Sequence, residues 1–186
     1  MTQRDAFFEG LTERMGVDGR FWVLAGDLTC DMARRFAHRY PDRFINTGPM
    51  EQTMMDVAIG LATQGQLPVV FGIAPFVIHR AQGQIRLAAM MKSRVTIVGV
   101  GAGWSYDEAG PTHHGTDDYA SARVFPGMAV WTCSDNSVAR FLVSKVGDWD
   151  GPTYFRLDRQ EQPSAHHSIS IERMHGDMDK GYWGIS

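Results

Sequence analysis

Cysteine and long apolar runs are scarce in this sequence, and their scarcity excludes two classes of protein. Only Cys30 and Cys133 occur among the 186 residues, which is too few for the disulfide framework of a small secreted domain. The most apolar stretch covers the twelve residues 67–78 and is interrupted by Gly72 and Pro75, whereas a membrane-spanning helix needs about 20 apolar residues. The charged start of the chain is followed by no apolar segment of the signal-peptide type. We therefore expect a cytoplasmic protein without a membrane span.

An excess of positive charge is also missing. The chain has 18 basic and 21 acidic residues, a net charge of −3, and no long basic run, so binding to nucleic acid is not expected. Its composition, 44% hydrophobic and 21% charged, is that of a globular protein. The histidines show no zinc-like spacing, and neither a P-loop nor a nucleophile elbow is present. We expect that this chain builds no metal site.

Apolar runs and helical patterns alternate along the chain. Continuous β-branched and aromatic residues predict buried strands over 21–25, 68–73, 95–100 and 153–157, with 128–131 as a further candidate. Apolar residues at helical spacing predict helices over 50–64, 77–92 and 137–146, the last of them capped by Ser134 or Asp135. This alternation predicts an α/β fold, a mostly parallel sheet with helices on both faces.

Two segments that interrupt the pattern carry polar residues of interest. The loop 99–115 is rich in glycine and contains Gly-Pro-Thr-His-His at 110–114, and loops of this length inside compact domains are usually functional. The segment 46–52 places Glu51 at the start of a helix, where the helix dipole favours an acid whatever its function. His113 and His114 are adjacent and point opposite ways in extended chain, so they do not readily share a metal. Taken singly, these residues leave the function open.

Taken together, six sequence blocks resemble the pyrimidine-binding domain of transketolase. They are Phe-Ile-Asn-Thr-Gly-Pro-Met-Glu-Gln at 44–52, Leu-Pro-Val-Val-Phe at 67–71, Ile-Arg-Leu-Ala-Ala-Met-Met-Lys at 85–92, Gly-Pro-Thr-His-His-Gly at 110–115, Ala-Arg-Val-Phe-Pro-Gly-Met at 122–128 and Gly-Pro-Thr-Tyr-Phe-Arg-Leu-Asp-Arg-Gln at 151–160. The blocks stand in the order of that family and cover roughly residues 20–162. Deoxyxylulose-phosphate synthases and, more distantly, the β subunits of 2-oxoacid dehydrogenases share this fold.

The resemblance implies thiamine diphosphate as cofactor and assigns a role to four residues. Glu51 matches the glutamate that hydrogen-bonds N1′ of the aminopyrimidine and so promotes loss of the C2 proton. Phe76 matches the aromatic residue that stacks on the pyrimidine. His113 matches a histidine that faces the reacting carbons, and Arg159 matches the family's phosphate-binding arginine.

The resemblance also implies a partner. Whole transketolases hold the diphosphate through Mg²⁺ with a Gly-Asp-Gly motif and a later asparagine, and Gly26-Asp27-Leu28 and the other Gly-Asp pairs here lack the second glycine. We expect residues 1–162 to form the pyrimidine-binding domain and the polar tail 163–186 to be the stub of an absent third domain. The chain is then the pyrimidine-binding subunit of a split enzyme, and a diphosphate-binding subunit, in an α2β2 heterotetramer, holds Mg²⁺.

Three functions compete at this point. The first is transfer of a two-carbon ketol unit through thiamine diphosphate. The second keeps the cofactor but passes a two-carbon unit from a 2-oxoacid to a lipoyl group or carrier protein. The third is a non-catalytic scaffold, which the joint presence of Glu51, Phe76 and His113 disfavours.

Departures from the family pattern point to an unusual donor. Ala109 stands where the family usually has an aspartate that hydrogen-bonds a donor hydroxyl, and Gly101 where it has a histidine. Asp31 replaces a serine that helps to hold the phosphate, and its charge would repel one. We expect a donor of altered stereochemistry, or one that lacks that hydroxyl or the phosphate.

Overall fold

One parallel sheet organises the chain. The computed structural model describes residues 1–27 and 31–161, and within them six strands form a sheet of order β2-β1-β3-β4-β6-β5 in which each neighbouring pair is parallel. The strands are β1 Phe21–Ala25, β2 Phe44–Asn46, β3 Leu67–Ile73, β4 Thr96–Val100, β5 Ala129–Thr132 and β6 Thr153–Leu157. The predicted α/β fold is confirmed.

Helices cover both faces of this sheet. They are α1 Gln3–Val17, α2 Asp31–Arg39, α3 Glu51–Thr63, α4 Gln82–Met90, α5 Asp118–Arg123 and α6 Asn136–Leu142. On one face, α1, α2 and α6 pack their apolar side chains around Phe7, Phe8 and Phe155. On the other, α3, α4 and α5 pack around Met54, Ile85 and Tyr154. Because both faces are covered, the strands are nearly continuous apolar sequence, and this composition made them predictable.

The predicted strands agree with the observed ones to within one residue at each end. The sequence did not predict α1, α2, α5 or the short edge strand β2. Helix α6 begins at Asn136, and of the two candidate caps it is Asp135 that accepts hydrogen bonds, from the backbone N–H groups of Ser137 and Val138.

The helix predicted over 77–92 is helical in the structure but divided into two parts. A π-helical turn, Phe76–Arg80, follows Pro75, and α4 begins only at Gln82. This wide turn lets Val77 and Ile78 both enter the core, whereas Phe76 and Arg80 remain partly or largely exposed. Such single π-helical turns are frequent at functional sites.

The division of the chain into a domain 1–162 and a tail 163–186 stays a prediction, because residues 162–186 lie outside the described part of the chain. No helix among the described residues is long and apolar enough to cross a membrane.

The ring of Phe8 gives a test of this packing. Phe8 is 1% exposed, and its ring makes edge contacts with Phe7, Phe36 and Phe71 at centroid distances of 5.8, 5.6 and 4.7 Å. We expect Phe8→Ala to lower the free energy of unfolding by about 3–5 kcal/mol, measured by urea denaturation, because a large cavity remains. Val17→Ala, at the 80% exposed end of the same helix, should change it by less than about 0.5 kcal/mol. A loss below about 1 kcal/mol for Phe8→Ala would contradict the described packing.

Candidate active site

The residues that the sequence singled out follow the carboxyl ends of four strands. Glu51 comes after β2, Phe76 after β3, His113 after β4 and Arg159 after β6. Because all strands run in the same direction, these ends meet at one edge of the sheet, the usual place for ligands in open α/β folds. The topology thus gathers segments that are far apart in sequence.

Glu51 is the first residue of α3. In the turn before it, the side-chain oxygen of Asn46 accepts a hydrogen bond from the N–H of Gly48. Gly48 has a φ of 66°, a backbone conformation that favours glycine. The Glu51 carboxylate is buried and accepts a hydrogen bond at Oε2 from Arg80 Nη1, 3.1 Å away. No residue in 1–27 or 31–161 donates a hydrogen bond to the other oxygen, Oε1.

Phe76 and His113 face each other. Their ring centroids are 4.9 Å apart at an interplanar angle of 72°, an edge-to-face contact. His113 ends the short turn Pro111–His113, and its Nδ1 lies 3.0 Å from the hydroxyl of Thr112. The Arg80 guanidinium lies over the ring of Phe76, 5.6 Å from its centroid. Contacts therefore run from Glu51 through Arg80 and Phe76 to His113.

His114 takes a different direction from its neighbour. Its ring packs against the exposed Trp104 with centroids 4.5 Å apart, on the loop 99–115. The two adjacent histidines thus contact different aromatic rings. Among the residues that the structure describes, no group of three or more His, Cys, Asp or Glu side chains could hold a metal ion.

The loop with His113 is closed at its base. Gly103 and Gly115 exchange two backbone hydrogen bonds of 2.8 and 2.9 Å. Arg156 on β6 donates a further hydrogen bond to the carbonyl of Gly115. Ser105, inside the loop, donates to the carboxylate of Asp158, just beyond the end of β6. The end of β6 therefore holds the loop at two points.

A buried polar network supports Arg156. The Asp118 carboxylate is fully buried at the start of α5, its Oδ2 accepts a 2.5 Å hydrogen bond from the hydroxyl of Tyr154, and Arg156 Nε lies 3.1 Å from the same oxygen. Burial and the neighbouring Asp118 charge raise the pKa of Tyr154 well above its ordinary value, so Tyr154 stays a donor. The network ties α5 and the loop base to β6.

Arg159 lies at a pocket beside these residues. The pocket has a volume of about 520 Å³ and is lined by residues 105–109, Arg159 and Gln160. The Arg159 guanidinium stacks on Tyr106 at 4.4 Å, and the Tyr106 ring lies 6.2 Å from that of His113. Ala109, which the resemblance aligns with an aspartate of the family, is part of the pocket wall and offers only a methyl group there. Asp31, at the start of α2, pairs on the surface with Arg34 at 3.6 Å.

Sequence reasoning missed two residues of this arrangement, Arg80 and Tyr106. A signal for Arg80 existed, because it stands four residues after Phe76 and residues at that spacing share a helix face. Tyr106 carried no comparable signal, since its place depends on the path of the loop. Gly101, with φ of 98°, passes so close to the Tyr106 ring that a Cβ would collide with it.

Comparison with known proteins places the chain in a family. Residues 1–165 match the model of the transketolase pyrimidine-binding domain. The chain is 32% identical over 158 residues to an apulose-4-phosphate transketolase subunit of Actinobacillus succinogenes, covering 84% of this chain and 50% of that one. It is 32% identical over 159 residues to the 6-deoxy-6-sulfo-D-fructose transketolase subunit SqwH of Clostridium sp. strain MSTE9, covering 84% and 49%.

A solved structure agrees. A split-gene transketolase described as an inactive β4 tetramer superimposes with a TM-score of 0.79 at 33% identity, covering 89% of this chain and 54% of that chain. The chain belongs to the transketolase pyrimidine-binding domain family, and it spans about half the length of the curated relatives it matches.

Proposed function

We propose that this chain is the pyrimidine-binding subunit of a split, transketolase-like enzyme that transfers a two-carbon ketol unit with thiamine diphosphate. The observation that carries the proposal is the contact series Glu51–Arg80–Phe76–His113 at the carboxyl edge of the sheet. We further propose that a diphosphate-binding subunit supplies Mg²⁺ and the rest of the site, in an α2β2 assembly in the cytoplasm.

The residues present fit an aminopyrimidine. The half-buried ring of Phe76 offers a flat aromatic surface, and the buried Glu51 carboxylate keeps Oε1 without a hydrogen bond from the described residues. Glu51 would hydrogen-bond the pyrimidine nitrogen N1′ and hold a proton there, while Phe76 orients the ring by stacking. Thiamine diphosphate, when bound, supplies a nucleophilic carbon that carries the two-carbon unit.

His113 would act on the donor. Because its Nδ1 is engaged with the hydroxyl of Thr112, Nε2 is the nitrogen left to hydrogen-bond the substrate oxygen. Arg159 lines the pocket and its guanidinium lies over the Tyr106 ring, which supports the proposal that it would hold an anionic group of the donor. The pocket of residues 105–109 would then receive the remainder of the donor.

The transketolase names of the relatives favour ketol transfer over the 2-oxoacid alternative. The presence of Glu51, Phe76 and His113 in one contact series argues against a pure scaffold.

The first test concerns the partner. We expect the isolated chain to bind thiamine diphosphate weakly or not at all in calorimetry with Mg²⁺, because the described residues hold no metal cluster. The complex with the diphosphate-binding subunit, obtained by co-purification from the native source, should bind it tightly and gain transferase activity. Tight, Mg²⁺-dependent binding by the isolated chain would contradict a divided site.

The second test concerns Glu51. Glu51→Gln should lower kcat of the assembled enzyme by about 10²-fold or more, since general acid–base groups contribute about 10²–10⁴-fold. The C2 proton of the bound cofactor should exchange correspondingly more slowly by NMR. Asp56→Asn, which neutralises an exposed carboxylate on the same helix, should leave both rates unchanged. Exchange at the wild-type rate in Glu51→Gln would show that the role of Glu51 is misassigned.

The third test concerns the donor. Because Ala109 neither donates nor accepts a hydrogen bond, we propose that the donor differs from that of an ordinary sugar-phosphate transketolase, as the names of the two relatives, with their different ketoses, also suggest. We expect the complex to lack the usual strong preference for xylulose 5-phosphate over its unphosphorylated analogue and hydroxypyruvate. Ala109→Asp should shift kcat/KM toward xylulose 5-phosphate. A strong wild-type preference for the phosphorylated ketose, with the usual stereochemistry, would refute the idea.

A further inference from the structure

Arg80 touches both residues that are proposed to hold the pyrimidine. Its Nη1 donates to Glu51 Oε2 at 3.1 Å, and its guanidinium carbon lies 5.6 Å from the centroid of Phe76. The two ends of the ion pair differ in environment, because the Glu51 side chain is 10% exposed and the Arg80 side chain 59%. A buried carboxylate is thus met by a cation that reaches it from the surface.

The hydrogen bond to one oxygen restrains the orientation of the carboxylate. A free glutamate side chain rotates about several bonds, and a charge-assisted hydrogen bond restricts that rotation. Arg80 restrains the carboxylate through Oε2, while Oε1 has no donor among the described residues. The geometry therefore leaves one oxygen for a ligand and uses the other for orientation.

The π-helical turn explains how one residue reaches both partners. Phe76 is the first and Arg80 the last residue of this turn, which buries Val77 and Ile78 between them. The turn therefore brings the Phe76 ring and the Arg80 guanidinium to the same side, over the start of α3, where Glu51 stands. The turn links ring stacking to carboxylate orientation.

We propose that Arg80 is a positioning residue for recognition of the pyrimidine ring. It acts through Glu51, by holding Oε2 so that Oε1 is presented to the ring nitrogen, and it lies over the same Phe76 ring on which the pyrimidine stacks. This inference rests on the proposed function. The role differs from that of an exposed ion pair, which contributes little to the stability of a fold.

The test compares Arg80→Met and Arg80→Lys in the complex with the diphosphate-binding subunit. We expect Arg80→Met to weaken binding of thiamine diphosphate, measured by calorimetry with Mg²⁺, by about tenfold, the order of one lost charged hydrogen bond. Exchange of the cofactor's C2 proton should slow as well. Arg80→Lys, which keeps a positive donor, should restore the affinity to within about threefold. Arg86→Met, which removes an exposed arginine of α4, is the control and should bind like the wild type.

The outcomes separate the roles that Arg80 could have. Equal or tighter binding by Arg80→Met would overturn the proposal, because it would make Arg80 a spectator or a competitor of the ligand. Failure of Arg80→Lys to restore affinity would also overturn it, since the positive donor would then not be the active feature. If Arg80→Met does not assemble, Arg80→Gln, which keeps a polar side chain without the charge, takes its place under the same criteria. A wild-type complex that binds no thiamine diphosphate would instead overturn the proposed function, and the role of Arg80 with it.

Discussion

Parallel pairing of the strands is the constraint on which the candidate site depends. After each strand the chain must cross back to the amino-terminal edge of the sheet before the next strand begins. The carboxyl end of every strand therefore leads into a loop or helix on the same edge. Backbone hydrogen bonds between parallel strands have the same geometry whatever the sequence. They bring four residues to this edge of the sheet although the four span more than half of the chain: Glu51, Phe76, His113 and Arg159.

Precision within that edge comes from polar contacts at the end of β6. Arg156 donates a hydrogen bond to the loop base and pairs with Asp118, which in turn accepts a hydrogen bond from Tyr154. Asp158 accepts a hydrogen bond from the hydroxyl of Ser105. Buried polar groups are costly unless they are paired, so such a network favours a single arrangement of the loop over several. The path of the loop that carries His113 therefore depends on contacts with β6 as well as on the loop's own sequence.

The sequence predicted the sheet well and the details of the site less well, for physical reasons. Strands covered on both faces are uniformly apolar, and their bounds could be found from local composition alone. Helix α1 was not predicted because its buried face includes Gln3 and Gly10, which weaken the apolar periodicity. The identities of Glu51, Phe76, His113 and Arg159 came from resemblance, and the structure brings them near one another, while their roles stay predictions. The Arg80–Glu51 ion pair joins residues that are 29 positions apart, and it depends on the π-helical turn that ends at Arg80. No local sequence pattern predicts such a contact.

The closed base of the loop also bears on how this family can diversify. The two hydrogen bonds between Gly103 and Gly115 close this segment at its base, and within it Ser105 contacts Asp158 at the end of β6 and His113 contacts Phe76. Tyr106, Glu108 and Ala109 lie within this segment and line the pocket. Substitutions at these three positions would therefore reshape the pocket wall, while the six-stranded sheet and the Arg80–Glu51 pair lie outside the segment and keep their sequence.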